Sequence, residues 1–290
     1  MSPATLAQAL VAGAVNGCFY ALLAVSFGLI LGISRALNLA HGEFVVLGGY
    51  IGYGLWALTG LDPLLFAPLV AIALLPLGLL WGRLLTRLRE PVALQSLVLT
   101  FGLSLFLQNL MLGLFGGDYR LLVTPALERT LALGPVHLNW GRVLLACVSL
   151  VSLLGLHLVL TRTRPGRAIL ATSLNREAAA LMGIDVDRIT SLTFLLAAGL
   201  AGLVGLFFAT VHYVHPTAGG ELTLLAIILV LLGGIGRFSG LLWGAFAVGL
   251  IEALTVAWTA PRWRELVVAL FLLGALLMRP QGLVAGGGHQ

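Results

Sequence analysis

Read for apolar and polar positions, the chain alternates long membrane-grade runs with short polar breaks. A crossing helix needs about twenty mainly apolar residues. Nine apolar runs stand out, at residues 8–33, 44–61, 64–81, 94–115, 143–160, 189–211, 222–232, 241–259 and 266–278, with the seventh and ninth shorter than that yardstick. The expected fold is an all-α polytopic membrane protein with about nine transmembrane helices, some of them broken or re-entrant. The two shortest interrupted runs leave eight or ten open. Pro68 and Pro76 fall in the third run, where neighbouring helices can re-satisfy the backbone groups that proline frees.

Polar residues inside this pattern are few and placed. The stretch 32–49, GISRALNLAHGEFVVLGG, sets Arg35, Asn38, His41 and Glu43 between two apolar runs. Such a cluster is expensive in lipid and by default marks a pathway, gate or binding position. Along the fourth run, Thr100, Ser104 and Gln108 recur every four residues on one helical face, with Gln95, Ser96 and Asn109 nearby. A polar stripe of this kind points into a bundle, either for core hydrogen bonding or to line a wet path. Glu252 sits near the middle of the eighth run, as a hydrogen-bonded bundle acid or a gating group. Gly-Ile-x-Arg occurs at 32–35 and again at 234–237, a weak hint of repeated, glycine-interrupted halves.

Composition sharpens the class. Of 290 residues, 60% are hydrophobic and only 9% charged, against roughly 25% in soluble domains. The start, MSPATLAQALVAG, lacks a basic n-region and a cleavage site, so it reads as the first span. Cys18 and Cys147 lie in apolar runs and read as buried thiols. All sixteen basic side chains are arginine. Without lysine, the chain cannot form a P-loop ATP site of its own, and Schiff-base chemistry is excluded. The arginines flank membrane runs rather than forming a nucleic-acid surface. Placing 82–90 and 161–188 in the cytoplasm puts eleven arginines inside and five outside, as the positive-inside rule asks. The N-terminus is then outside and the C-terminus cytoplasmic.

His-Gly-Glu at 41–43 is not the zinc pattern in which two histidines four residues apart converge, and no further His or Cys is near in sequence. If helical, Asn38, His41 and Gly42 share a face and Glu43 points away. Two readings compete: Asn38 and Glu43 cap a helix break, or the stretch forms part of a substrate path. The loop 161–188 offers a second constellation. Pro165-Gly166 reads as a turn. Asn175 suits an N-cap, Glu177 the first turn and Gly183 the C-terminal stop, defining a helix over 176–182. Ala178, Leu181 and Met182 share its apolar face. So short a helix is marginal alone and needs something to pack on, its own bundle or a partner's groove.

The segment GRAILATSLNREAAALMGIDVDRITSLTF at 166–194 resembles the coupling loop of the permease subunits of branched-chain amino acid ABC importers. LNLAHGEFVVLGGY at 37–50, LSLFLQN at 103–109, LLGGIGRFSGLLWGAFAVGLIEAL at 231–254 and MRPQGL at 278–283 also resemble that family, in its order. The resemblance implies a single transmembrane permease domain, residues 1–290, in the inner membrane, with 161–188 as its cytoplasmic coupling loop. It implies a second, related permease, two ATP-binding subunits that carry the ATP and Mg, and an external substrate-binding protein. It assigns ATPase coupling to Glu177, Ala178, Ala179, Leu181, Met182 and Gly183, with Gly166, Arg167 and Asn175 in support. The chain itself would hold no cofactor and catalyse nothing. Asn38, His41, Glu43, Gln108, Asn109 and Glu252 are the pathway or gate candidates. The sequence departs from the family at Leu225, where lysine is frequent, and in the short REPVALQS segment. A related urea or short-amide permease, or a stand-alone secondary transporter or channel, are the alternatives. The last would be expected to set coupling acids within its spans, where only Glu252 clearly lies.

Overall fold

A computed structural model describes residues 3–34, 37–88, 92–123, 129–134, 136–259 and 261–278. Arg35, Arg89, Pro91 and the motif after Met278 lie outside the described residues. The helices are α1 (Pro3–Ser34), α2 (His41–Thr59), α3 (Ala67–Leu85), α4 (Val92–Phe115), α5 (Trp140–Arg162), α6 (Arg164–Leu174), α7 (Arg176–Leu181), α8 (Val186–Val211), α9 (Ala218–Gly233), α10 (Phe238–Trp258) and α11 (Arg264–Met278). Each of the nine apolar runs coincides with a helix. Among the described residues, six elements are long and apolar enough to cross a membrane: α1, α3 with its preceding 3-10 turn, α4, α5, α8 and α10. The chain is a predominantly helical, multi-pass membrane protein.

Helix α1 is the axis of the bundle. From Tyr20 to Ile33 nearly every side chain is buried, whatever its direction. A helix apolar all round has no solvent or lipid face to spare, and α1 is wrapped by α5, α8, α9 and α10. A second layer packs α2 and α3 against α8. These contacts rest on small residues. A side chain at Gly205 of α8 would run into the Val45 carbonyl of α2. Lipid tails are as apolar as leucine, so close backbone approach rather than hydrophobicity drives such packing. Helices α4 and α5 sit outside this core, and most of their large apolar side chains are exposed. That is the surface expected to meet lipid or another subunit.

Five local features differ from the sequence expectation. Cys147, read as a buried thiol, is exposed on α5, whereas Cys18 is buried. Pro165-Gly166 opens α6 instead of making a free turn. Proline is pre-set for a first turn, Thr163 Oγ1 accepts from Gly166 N at 3.1 Å, and Gly166 lies flush on the α5 backbone at Val159–Leu160. Helix α9 begins at Ala218, so the two glycines read as loop form its first turn. The region 116–142 contains a hairpin, β1 (Thr130–Leu133) paired with β2 (Val136–Asn139). Finally, α2 starts at His41 with Ala40 as its N-cap, so Asn38 is not on the helix. Gly32, from the first Gly-Ile-x-Arg, faces the backbone of Gly236, from the second.

Candidate functional site

The break between α1 and α2 does not stay at the end of the bundle. His41 Nε2 stands 3.0 Å from Ser26 Oγ of α1, eight residues before α1 ends, or about 12 Å back along its axis. The chain therefore turns back into the protein before α2 begins, so the segment is re-entrant. Irregular backbone at such depth must be satisfied by protein, and two threonines do this. Thr100 Oγ1 of α4 accepts from Leu39 N and lies within donating distance of Leu37 O, both at 3.1 Å. Thr223 Oγ1 of α9 accepts from Gly42 N at 2.8 Å and approaches Leu39 O at 3.2 Å. Asn38 Oδ1 takes the Ala40 N–H at 3.2 Å.

The cap of α2 thus comes from another element. Ala40 offers no side-chain cap to α2, and Glu43 does not cap its own helix. Thr223 of α9 supplies the acceptor for the α2 N-terminus. In return the Glu43 carboxyl occupies the space a side chain at Gly219 would fill, against the first turn of α9. Free N–H groups make that turn the positive end of its helix and suit a carboxylate. A side chain at Gly42 would collide with the Gly219 carbonyl, so the two half-buried helix starts interlock through glycine. Ser104 of α4 donates to Glu43 Oε1 at 3.1 Å, and His41 meets the edge of Phe27. Asn38, His41 and Glu43 are each 1% exposed. Asn38 Nδ2 and Glu43 Oε2 have no partner among the described residues.

Of the stripe on α4, Thr100 and Ser104 face this centre. Gln108 is half-buried further along, and Asn109 is exposed with its Nδ2 donating to Leu105 O of its own helix at 2.8 Å. Glu252 belongs to a different place. It lines a cavity of about 470 Å³ between α1, α8, α9, α10 and α11. Its carboxylate accepts from the Tyr20 hydroxyl and pairs with Arg264 at 3.1 Å. Tyr20 and Ser26 both lie on α1, so the cavity and the re-entrant break are about 9 Å apart along that axis.

The loop 161–188 folds as two short helices at the other end of α8. Asn175 caps α7, its Oδ1 accepting from Ala178 N at 3.0 Å. Glu177 lies in the first turn, and Gly183 has φ 82°, the left-handed stop. Within the apolar set the roles divide. Ala179 is buried against the chain, whereas Leu181 and Met182 are 89% and 83% exposed. Ala178, Glu177 and Arg167 are also exposed, and Gly166 is buried at the α5 crossing.

Sequence reading missed Thr223, Ser26, Tyr20 and Arg264. Lone hydroxyls in apolar runs carry little signal, and Arg264 looked like one more membrane-flanking arginine.

A helical membrane protein with re-entrant breaks, interlocked half-helices and a polar-lined internal cavity has the build of a solute transporter. The chain belongs to the family described as branched-chain amino acid transport system / permease component, which matches residues 9–276. It is 27% identical over 287 residues to the high-affinity branched-chain amino acid transport system permease protein LivH of Escherichia coli, covering 94% of this chain and 93% of that one. It is 29% identical over 292 residues to BraD of Pseudomonas aeruginosa, a permease of the same description, covering 96% and 95%. It is also 31% identical over 274 residues to the autoinducer 2 import system permease protein LsrC of Yersinia pseudotuberculosis, covering 88% and 72%. No solved structure matches the chain.

Proposed function

We propose that this chain is one permease subunit of an ATP-driven importer that moves branched-chain amino acids across the inner membrane. Residues 1–290 act as a single transmembrane unit, paired with a second, related permease. An external binding protein delivers the solute, and two ATP-hydrolysing subunits with their Mg dock on the cytoplasmic loop 161–188. The N-terminus is outside and the C-terminus in the cytoplasm.

The observation that carries this reading is α7. It is a capped, six-residue helix anchored through Ala179 and presenting Leu181 and Met182 with almost no cover from their own chain. A rigid apolar knob on a short helix fits a groove on a partner. Its anchor runs directly into α8, which packs on α1, α2 and α3, so a push on α7 reaches the re-entrant centre through one rigid element. ATP-driven closure of the partner dimer shifts α7, tilts α8 and changes the side on which the path near Asn38–Glu43 opens. Lacking lysine, the chain borrows its phosphate chemistry.

The test is co-purification of the permease with its ATP-binding subunits. Leu181→Glu with Met182→Glu alters only exposed positions, so stability changes by at most about 0.5 kcal/mol, while association is lost. Intact association and uptake in this variant would refute the docking role.

A further inference from the structure

We propose that the Glu252–Arg264 cavity is a binding site for a free α-amino acid zwitterion, with Arg264 taking the carboxylate, Glu252 the ammonium and the apolar wall the side chain. This rests on the reading of the chain as an amino-acid permease and adds the place and chemistry of recognition within it.

The cavity holds about 470 Å³, within the range of roughly 300–1,000 Å³ usual for small-molecule sites. Its lining divides by chemistry. Phe19, Leu222, Leu225, Ile228, Val248 and Val268 form an apolar wall, Glu252 and Arg264 stand as an ion pair at the polar end, and Glu221 and His212 complete the polar lining. Glu252 is the most enclosed of these charges, with its side chain 8% exposed, while the Arg264 side chain is 42% exposed and faces the opening. The Tyr20 hydroxyl bonds the second carboxylate oxygen of Glu252 and so holds it in place when Arg264 moves.

The electrostatics select a zwitterion. A lone anion or a lone cation entering here would leave one member of the pair uncompensated at depth, which costs several kcal/mol. An amino acid entering between Glu252 and Arg264 replaces one ion pair with two and adds no net charge to the site. Arginine offers the planar fork that suits a carboxylate. The branched aliphatic side chain then lies along leucine, isoleucine and valine rather than water. A solute without both charges gains nothing from the pair. The distinction matters for a chain similar to permeases named for both amino acids and autoinducer 2.

Position supports the assignment. The cavity touches Phe208 and His212, at the C-terminal end of α8, whereas α7 precedes its N-terminus at Val186. That is 22 residues, or about 33 Å, along one helix. The site therefore lies at the end away from the ATPase-docking knob, where a solute arriving from an external binding protein first meets the permease.

The experiment labels a cysteine in the cavity. In membranes of cells producing the full chain, with Cys18 and Cys147 replaced by serine, Leu225→Cys is reacted with a maleimide. L-leucine is expected to slow labelling severalfold. Isocaproate, which lacks the ammonium, and isoamylamine, which lacks the carboxylate, are expected to leave it unchanged. Protection should vanish in Glu252→Gln with Arg264→Gln, which keeps a hydrogen-bonded pair without charge. It should also vanish in the single change Arg264→Gln at the exposed member, which guards against a folding defect of the double variant. Equal labelling with and without leucine, equal protection by all three compounds, or protection that survives loss of the charges would each overturn the site. ATP-dependent leucine uptake by the complete importer is read separately. Its absence with protection intact would count against the importer reading and leave this site standing.

Discussion

Replacing Thr223 by valine isolates the contribution of one hydroxyl to the re-entrant centre. The side chain is 2% exposed, and valine has nearly its shape, so no cavity opens. What is lost is the acceptor for Gly42 N–H at 2.8 Å, together with the hydroxyl's donation toward Gly219 O at 3.0 Å or Leu39 O at 3.2 Å. The carbonyl has a second lone pair and tolerates the loss better than the amide does. A buried donor left without a partner costs about 1–3 kcal/mol, or about five- to a hundredfold in the unfolding equilibrium. Side-chain hydrogen bonds between membrane helices average only about 0.6 kcal/mol, because the separated helices find other partners. The Gly42 amide differs: it lies at a helix start fixed by the break, with no preceding turn to bond. The larger range therefore applies. Thr223→Ser keeps the hydroxyl and loses one methyl, about 0.8 kcal/mol. Equilibrium unfolding in mixed detergent micelles, followed by tryptophan fluorescence, separates the three proteins. The reasoning fails if valine costs less than about 0.5 kcal/mol, or if serine destabilises as much as valine.

Two further changes probe the same centre. Gly42→Ala drives a methyl into the Gly219 carbonyl and forces α2 and α9 apart. It should cost more than a typical overpacking change of about 1–3 kcal/mol and abolish uptake, measured as unfolding midpoint and substrate accumulation. Glu43→Gln keeps an acceptor for Ser104 but removes its charge, and His41→Ala removes the Ser26 contact. Turning a charge-assisted bond of about 1.5–3 kcal/mol into a neutral one of about 0.5–1.5 kcal/mol costs about 1 kcal/mol, which corresponds to about fivefold slower uptake if the centre moves during transport. Uptake unchanged by both substitutions would make the stretch scaffold.

Much of the architecture is legible in the sequence because lipid imposes one rule on every span: each of the nine apolar runs falls on a helix, although only six elements among the described residues are long and apolar enough to cross a membrane. Helix α7 is legible for a different reason. Asn175, Glu177 and Gly183 are local signals whose meaning does not depend on the rest of the fold. The hidden parts are those where a local signal is overruled by a distant partner. Gly219-Gly220 reads as loop because glycine is a poor helix former, yet the first of them is needed for the Glu43 carboxyl to lie against α9. Pro165-Gly166 reads as a turn, yet Gly166 serves the crossing of α6 over α5. Glu43 looks like a cap for its own helix, yet its carboxyl lies beside the first turn of α9 and bonds Ser104 of α4 instead. Glu252 and Arg264 are twelve residues apart and separated by the end of α10, so spacing could not pair them or bring in Tyr20 from α1. The sequence also grouped Asn109 and Glu252 with the 38–43 cluster. In the fold Asn109 faces outward and Glu252 lines a separate cavity.

The central claim is that this chain is the membrane path of an importer driven by partner ATPases. Its most direct test is uptake of labelled L-leucine into proteoliposomes containing the chain with its second permease, ATP-binding subunits and binding protein. The account predicts accumulation that requires ATP and binding protein together and is lost when this chain is omitted. Leucine entry that proceeds at the same rate without ATP, or without this chain, would contradict it.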